Sequence, residues 1–327
     1  MLTRDIHLVQ RPEGELKAAD FKLVERELGE PADGQFVVRN LYMSVDPALR
    51  PRMSVGQELN QPIMGGALGR VIGSRNPAFA EGDIVRSRNG FREAFISDGK
   101  GVAKLAADPD LPLTAYMNVL GNPGLTAYGG LTAIANLKRG ETLFISTAAG
   151  AVGSVAVQIG KLYDCYVIGS TGSEDKAAWL RDELKLDAVI NYKTAPINKA
   201  LRAAAPKGIE VYFDNVGGDH LDAALAVMNH GGRVAVCGMV SGYNEPGSRT
   251  VVRNLSNIIY GGITIRGFSG PEYQHLQGEF EAKMGEWLKA GKIKYRETIL
   301  EGIANAPAAM IGLMRGDNIG KMLVKLA

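Results

Sequence analysis

Hydrophobic and polar positions follow two different patterns along this chain. Up to about residue 120, short apolar runs lie between clusters of turn-forming residues; the runs are 35–45, 69–74, 83–88 and 92–97. Runs of this length between turn-forming clusters are typical of β-strands. The pattern predicts that the first 120 residues form a β-rich domain.

The middle of the chain alternates strand-like with helix-like segments. Residues 142–146, 165–170 and 188–192 are strand-like, whereas 152–163 and 174–184 have helical spacing. The same alternation continues through 210–216, 221–228 and 233–239. Such alternation favours βαβ units and therefore a doubly wound parallel sheet of the Rossmann type. Near the end, 279–291 predicts a helix closed by Gly291, and 318–327 predicts a final strand.

Length and composition narrow the function classes. A chain of 327 residues exceeds the size at which one hydrophobic core usually stops growing, so two domains are expected. The net charge of +2 and the lack of a dense basic block argue against general nucleic-acid binding. We expect no secretory signal and no membrane span, because every apolar stretch is short or interrupted. Two cysteines exclude a disulfide framework and fit a reducing compartment, so a cytoplasmic protein is expected.

A glycine-containing turn follows the strand at 142–146. Gly150 and Gly153 stand at the bend before a helix, where backbone N–H groups and the helix dipole favour an anion. The match to the pyrophosphate-binding fingerprint is partial, because Ala148 occupies the first glycine position. A generic strand-to-helix turn remains the alternative, although the flanking strand and helix favour the phosphate site.

The next strand ends without an acidic residue. NAD-binding enzymes place Asp or Glu there for the ribose 2′-hydroxyl, whereas this strand runs into Ser170, Thr171, Gly172 and Ser173. Small hydroxyl residues with a lysine nearby suit a 2′-phosphate, so NADPH is the predicted cofactor. Lys176 is the candidate cation, and a solvated lysine in the first turn of a helix is the alternative.

A catalytic zinc site is not predicted. Such a site takes three protein ligands, often Cys and His, and the chain has two Cys and four scattered His. Without a metal, a developing negative charge on a substrate would need hydrogen-bond donors instead.

Several stretches together resemble one family, the zinc-independent medium-chain dehydrogenases/reductases, in the branch of prostaglandin, alkenal double-bond and curcumin reductases. The resemblance runs nearly from end to end and is carried by 40–53, 121–131, 148–162, 191–193, 212–218, 236–244 and 315–327. Residues 65–69, GGALG, stand where zinc-containing relatives have Gly-His-Glu. The resemblance implies a Rossmann domain at 121–290, a GroES-like catalytic domain from 1–120 and 291–327, and a homodimer.

The resemblance also implies the functional residues. Tyr243 would border both the nicotinamide and the substrate carbonyl, and Tyr42 would form a wall of the substrate pocket. Packing against the cofactor or within a strand is the alternative role for each; Phe268 could equally be a core residue and Asn318 a turn residue. The implied NADPH contacts are Gly150, Ala151, Val152, Gly153, Lys176, Tyr192, Asn215, Cys237, Gly238, Met239, Val240, Ser241, Gly242, Tyr243, Phe268, Ser269, Gly270 and Asn318.

The implied reaction is conjugate reduction of the C=C bond of an enone or enal, with the charge on the carbonyl oxygen stabilised by Tyr243. A zinc-free quinone reductase and a protein that only binds NADPH are the alternatives. A methyltransferase is disfavoured, because such enzymes normally have an acid after the second strand.

Overall fold

The structure, a computed structural model, describes residues 1–245 and 251–327. By their internal contacts these residues divide into two compact units. The first unit contains Met1–Met117, Glu297–Ala327 and a short stretch that begins at Asn244. The second contains Asn118–Tyr243 and the later described residues up to Arg296. The chain therefore changes from the second unit to the first directly after Tyr243.

The described residues form the following regular elements. In chain order the strands are β1 (Leu2–Leu8), β2 (Phe21–Glu27), β3 (Phe36–Ser44), β4 (Gln61–Pro62), β5 (Ala67–Ser74), β6 (Ile84–Ser87), β7 (Ala94–Ser97), β8 (Ala103–Lys104), β9 (Thr142–Ile145), β10 (Tyr166–Thr171), β11 (Ala188–Asn191), β12 (Ile209–Asp214), β13 (Met228–Val236), β14 (Thr264–Gly267), β15 (Glu297–Glu301) and β16 (Lys321–Lys325). The helices are α1 (Leu49–Val55), α2 (Asn122–Gly129), α3 (Ala151–Leu162), α4 (Glu174–Ala178), α5 (Ile197–Ala204), α6 (Gly218–Leu225), α7 (Asn257–Gly261), α8 (Gly270–Tyr273), α9 (Gln277–Lys289) and α10 (Ala306–Arg315).

The first unit is built on two mainly antiparallel sheets. A small sheet has the strand order β2-β1-β4, and a larger one has the order β15-β16-β3-β5-β6-β8, with β7 paired to β3. Strand β16 pairs antiparallel with β3, so the end of the chain is part of this unit. Ile6, Leu8, Met43, Phe91 and Met310 are fully buried in one core cluster, which holds β1, β3 and α10 together.

A buried lysine of the larger sheet pairs with a partly exposed aspartate. Lys321 is only 1 % exposed, and its ammonium group donates to the carbonyl oxygens of Val45 (2.8 Å) and Met322 (2.9 Å) and to Asp46 Oδ1 (3.2 Å). These three bonds use all three ammonium protons. Asp46 thus compensates part of the charge of the buried lysine.

The second unit is a six-stranded parallel sheet with the order β11-β10-β9-β12-β13-β14. Numbered within the unit, this is the order 3-2-1-4-5-6 of dinucleotide-binding domains, so the predicted doubly wound fold is confirmed. Phe144, Ile168 and Tyr212 lie in its buried core. The strand order reverses between β9 and β12, and ligands of open α/β sheets bind beyond the carboxyl ends of the strands at that point.

Candidate functional site

The turn between β9 and α3 presents backbone N–H groups at the carboxyl edge of the sheet. Gly150 is the N-cap of α3 in an extended conformation, and no side chain caps the helix. The first N–H groups of Ala151, Val152 and Gly153 are therefore not bonded by a capping side chain. An anion at this position would accept bonds from these groups and would lie at the positive end of the helix dipole.

The two glycines of this turn have different packing. A Cβ on Gly153 would lie 2.2 Å from the carbonyl oxygen of Thr147, so only glycine lets α3 approach the end of β9 this closely. A Cβ on Gly150 would lie 3.1 Å from Thr147 Cγ2, which is tight but less severe. Thr147 itself has φ of 51°, a left-handed conformation that is strained for a β-branched residue. Such strain concentrates at functional sites.

A second corner of the site lies beyond β10 and β11. Ser170 and Thr171 are buried, so of the predicted hydroxyl residues only Ser173 is partly exposed, and its side chain does not cap α4. A Cβ on Gly172 would lie 2.8 Å from Tyr192 Oη and 3.4 Å from Lys193 Cε. Gly172, directly after β10, and Tyr192, directly after β11, therefore lie together.

Lys193 is an addition to the predicted set. It follows Tyr192 directly, and its side chain reaches the same corner as Gly172. Lys176 lies half-buried in the first turn of α4, three residues after Ser173. The signal that could have identified Lys193 is its position two residues after the end of β11. Burial raises the pKa of Tyr192, so its hydroxyl stays protonated and can donate to a phosphate.

The ends of β9 and β12 are joined by a buried polar network. Asp214 is completely buried, and its Oδ1 accepts bonds from the N–H groups of Val216 and Gly217, both at 2.8 Å, and from the Tyr212 hydroxyl at 2.6 Å. Burial raises the pKa of Asp214 above its ordinary value, although these bonds oppose the shift. Sequence reasoning missed Asp214 and Tyr212, because their partners become visible only in the folded sheet.

Asn215 connects the two strands across the point where their order reverses. Its backbone N–H donates to Ser146 Oγ at 2.9 Å, and its Nδ2 donates to the carbonyl oxygen of Ser146 at 2.7 Å. The side-chain amide of Asn215, a predicted cofactor contact, therefore also links the ends of β9 and β12.

The loop after β13 carries Cys237, Gly238, Met239, Val240, Ser241, Gly242 and Tyr243. The N–H groups of Cys237 and Gly238 donate to the carbonyl oxygen of Asp214 at 2.8 and 3.1 Å, which fixes the start of the loop beside β12. Val240–Gly242 form a 3₁₀ turn that ends at Tyr243. The Met239 N–H donates to Tyr243 Oη at 3.4 Å. Among the residues that the structure describes, no acceptor takes the hydroxyl proton of Tyr243.

Cys165 and Cys237 are both free thiols, and their surroundings make neither of them reactive. Burial raises the pKa of Cys165 to about 11 and that of Cys237 to about 12. Cys237 is partly exposed, but a thiol with this pKa is almost entirely protonated at neutral pH. The predicted contact of Cys237 with the cofactor would therefore be made by the protonated thiol, not by a nucleophilic thiolate.

Phe268, Ser269 and Gly270 follow β14 at the same edge. The Phe268 ring meets the rings of Phe213 and Tyr273 edge-on, at centroid distances of 6.0 and 5.7 Å. The observed contacts thus include the core packing that was the alternative for Phe268. Ser269 is the N-cap of α8, and its N–H donates to Glu272 Oε1 at 3.0 Å.

Two predicted residues belong to the first unit. Tyr42 lies on β3 between Leu68 of β5 and Lys325 of β16, and it packs against a cluster that contains Leu68 and Leu323. Asn318 is buried, and its Nδ2 donates to the carbonyl oxygen of Gly320 at 2.7 Å, which stabilises the turn before β16. The contacts within this unit account for a packing role of Tyr42 and a turn role of Asn318.

No group of three or more His, Cys, Asp or Glu side chains in 1–245 and 251–327 could hold a metal ion. Within the same ranges, no helix has the length and apolar character needed to cross a membrane.

Comparison with known proteins places this geometry in context. Residues 4–105 match the family described as "N-terminal domain of oxidoreductase", and residues 151–290 match "Zinc-binding dehydrogenase". The chain is 37 % identical to the NADPH-dependent curcumin reductase of Escherichia coli, over 98 % of this chain and 96 % of that protein. It is 40 % identical to the NADP⁺-dependent 2-alkenal reductase of Nicotiana tabacum, over 89 % of this chain and 87 % of that protein.

A solved structure agrees in both fold and sequence. CurA from Vibrio vulnificus in complex with NADPH superimposes with a TM-score of 0.94, at 38 % identity and with 99 % of each chain covered. The similarity therefore extends over both units of this chain.

Proposed function

The chain belongs to the zinc-independent branch of the medium-chain dehydrogenase/reductase family, and from this premise we propose that it reduces conjugated C=C bonds with NADPH. The substrates are α,β-unsaturated ketones or aldehydes. The observation that carries the proposal is the Tyr243 hydroxyl, whose proton has no acceptor in the described part of the protein and which lies at the edge of the parallel sheet.

The residues at that edge fit a dinucleotide. The N–H groups at the start of α3 suit a pyrophosphate, and Gly153, which has no Cβ, lets α3 begin close to Thr147. Asn215 and the loop that ends at Tyr243 would border the nicotinamide half. Phe268–Gly270, at the same edge, would complete this side of the cleft.

The corner beyond β10 supports NADPH rather than NADH. Lys176 supplies a cation, the Tyr192 hydroxyl supplies a donor, and Lys193 adds a second positive charge. The strand tip has no carboxylate to hold a free 2′-hydroxyl, and the dianionic 2′-phosphate suits these three groups.

The chemistry requires stabilisation of an oxyanion. Bound NADPH would supply a hydride to the β-carbon of the substrate. Negative charge would then develop on the carbonyl oxygen as an enolate, and the Tyr243 hydroxyl would donate a hydrogen bond to it. A proton delivered to the α-carbon, from water or through Tyr243, completes the saturated carbonyl product. We propose that the second unit binds the cofactor. Tyr42 remains the proposed wall of the substrate pocket and Asn318 a proposed cofactor contact.

The test is NADPH oxidation followed by product analysis. The purified protein is mixed with NADPH and a 2-alkenal, an enone, a quinone or the matching saturated ketone, and oxidation is followed by absorbance. The enone and the alkenal should be turned over to saturated carbonyl products, and the saturated ketone should be inert. Formation of an allylic alcohol, or turnover of the quinone alone, would contradict C=C reduction; no oxidation with any of the four would leave only NADPH binding.

We further propose that the protein is a homodimer that pairs through the second unit. Strand β14 is the edge of the parallel sheet, and an edge strand presents unpaired backbone groups. Ile259 and Tyr260 of the neighbouring α7 are 78 % and 81 % exposed, and large apolar side chains at this exposure favour an interface.

The two free cysteines support a cytoplasmic location.

A further inference from the structure

Arg50, in helix α1 of the first unit, is a guanidinium buried without a bonded carboxylate. The residue is 0 % exposed. It donates through Nη1 to Ser54 Oγ (2.7 Å) and through Nη2 to the carbonyl oxygens of Gly14 (2.7 Å) and Pro12 (3.4 Å). Burial lowers the pKa of Arg50, although the charge of Asp20 opposes this shift. Hydrogen bonds of this kind compensate the cost of burying a charge.

The remaining bond of this guanidinium goes to Asn244. Arg50 Nε donates to Asn244 Oδ1 at 3.2 Å. Asn244 also borders a small cavity lined by Leu16, Ile311 and Met314 of the same unit. It is the first residue of the chain after Tyr243, and by its contacts it belongs to the first unit. The bond therefore fixes the chain directly beyond the tyrosine.

The loop before Tyr243 is anchored firmly at its start. Ser241 Oγ donates to the carbonyl oxygen of Val216 at 2.6 Å, and Val240 N–H donates to that of Asn215 at 3.2 Å. Tyr243 itself is held by longer bonds, from its N–H to the Val240 oxygen at 3.3 Å and from Met239 N–H to its hydroxyl at 3.4 Å. The position of the Tyr243 side chain therefore depends also on the contact that fixes the next residue, Asn244.

We propose that Asn244, held by Arg50, is a positioning residue for Tyr243 in the reductase reaction. This inference rests on the proposed function, because it assigns to Tyr243 the donation of a hydrogen bond to the enolate. Asn244 would act only through the position of that hydroxyl, and it would not contact the substrate. A small displacement of a catalytic donor lowers the rate without removing the group.

The test compares Asn244→Ala with Ser54→Ala, which removes another acceptor of the same guanidinium away from the Tyr243 loop. Asn244→Ala should lower kcat for the enone about three- to tenfold and leave the Kd for NADPH unchanged. Ser54→Ala should keep wild-type kcat. Asn244→Asp keeps an oxygen acceptor for Arg50 and should restore most of the lost rate. Equal kcat values for Asn244→Ala and Ser54→Ala would overturn the assignment.

A double-mutant cycle separates positioning from general damage. In a Tyr243→Phe background, Asn244→Ala should have almost no further effect on kcat, because the hydroxyl that it positions is gone. The same fold loss in both backgrounds would mean that Asn244 acts independently of Tyr243 and would overturn the inference. A fully active Tyr243→Phe enzyme would overturn it as well.

Hydrogen exchange tests the anchor independently of activity. Asn244→Ala should speed amide exchange in residues 239–244, and Ser54→Ala should not. Unchanged exchange in the Asn244→Ala protein would contradict the anchor even in an active enzyme. An inactive wild-type protein with faster exchange in this variant would contradict the proposed function and leave the anchor standing.

Discussion

The imidazole ring of His220 meets the ring of Tyr192 edge-on, with 5.0 Å between the ring centroids. Its plane also lies nearly parallel to that of Phe144, at 6.5 Å. His220 is 6 % exposed, and its Nε2 atom has no hydrogen-bond partner within the described residues. The histidine thus acts as an aromatic spacer behind Tyr192, and burial lowers its pKa to about 4.

The first prediction concerns stability against pH. The unfolded chain binds a proton at His220 near pH 6.5, whereas the folded protein does so only near pH 4. The unfolded state therefore binds more protons between these values, and the stability of the fold falls as the pH falls from 6.5 to 4. The contribution of His220 is on the order of 3 kcal/mol at the acidic end.

The measurement is denaturant unfolding at pH 7.5 and pH 4.5 for the wild type and for His220→Phe. Phenylalanine keeps a ring beside Tyr192 but cannot take up a proton. We expect the variant to lose about 2–3 kcal/mol less stability than the wild type between the two pH values. An identical loss in both proteins would show that His220 does not titrate in this way.

The second prediction concerns cofactor choice. A charge-assisted hydrogen bond to the 2′-phosphate is worth about 1.5–3 kcal/mol, so Lys176→Ala should raise the KM for NADPH roughly 10- to 100-fold. The KM for NADH should stay nearly constant. Lys161→Ala is the matched control, because Lys161 lies in the last turn of α3 and pairs with Asp187. An equal rise for both cofactors, or an effect of the control, would refute the role of Lys176.

Much of the secondary structure of the second unit could be predicted from the sequence, because each strand, helix and turn is marked by residues close together in the chain. Alternating strand and helix periods predicted β9 to β13 and the helices α3, α4 and α6, and the glycines at the bend marked the turn before α3. Helix α5 was not predicted. A turn needs particular residues at fixed short spacing, so a partial fingerprint at Gly150 and Gly153 still indicated the right place.

The hydrogen bonds that shape the candidate site could not be predicted from the sequence, because their partners are far apart in the chain. Ser146 and Asn215 are 69 positions apart in the chain, yet they bond to each other at the reversal of strand order. Arg50 and Asn244 are 194 positions apart. Nothing in the local pattern around an asparagine or an arginine names a partner that distant, because tertiary packing alone brings the two together.

The third prediction separates the two glycines of the phosphate turn. A Cβ on Gly153 would meet the Thr147 carbonyl oxygen at 2.2 Å, so α3 must shift in Gly153→Ala. We expect a loss of about 1–3 kcal/mol in unfolding free energy and a clear rise in the Kd for NADPH. Gly150→Ala should cost less, because its backbone φ of −82° suits any residue and its nearest contact is 3.1 Å. Denaturant unfolding and NADPH fluorescence titration measure both; a larger effect of Gly150→Ala would contradict this account of the turn.

The fourth prediction concerns assembly. If α7 and β14 form the dimer interface, Tyr260→Glu places a charge on a surface that becomes buried, and the protein should become monomeric. Val55→Glu changes an equally apolar side chain, 86 % exposed, in the first unit, and should leave the mass unchanged. Light scattering at micromolar concentration reports the mass. A monomeric wild type would refute the dimer, and a dimeric Tyr260→Glu protein would exclude this surface.

The fifth prediction tests the hydroxyl of Tyr243. Tyr243→Phe keeps the ring and removes only the donor. Removing one oxyanion donor costs roughly 10²–10³ in kcat in a well-studied enzyme, and a ribose hydroxyl of the cofactor would compensate part of the loss here. We therefore expect kcat to fall on the order of tenfold or more, while the Kd for NADPH changes little, because the groups that we propose for its phosphates lie at α3 and beyond β10.

The alternative for this residue is that its ring only packs against the cofactor. Tyr243→Ala distinguishes the two roles, because it removes the ring together with the hydroxyl. If packing is the role, the Ala variant weakens NADPH binding and the Phe variant retains normal kcat. If donation is the role, both variants lose kcat and the Phe variant still binds NADPH normally. Measuring kcat and the NADPH Kd for both variants decides the matter, since only the catalytic role separates the hydroxyl from the ring.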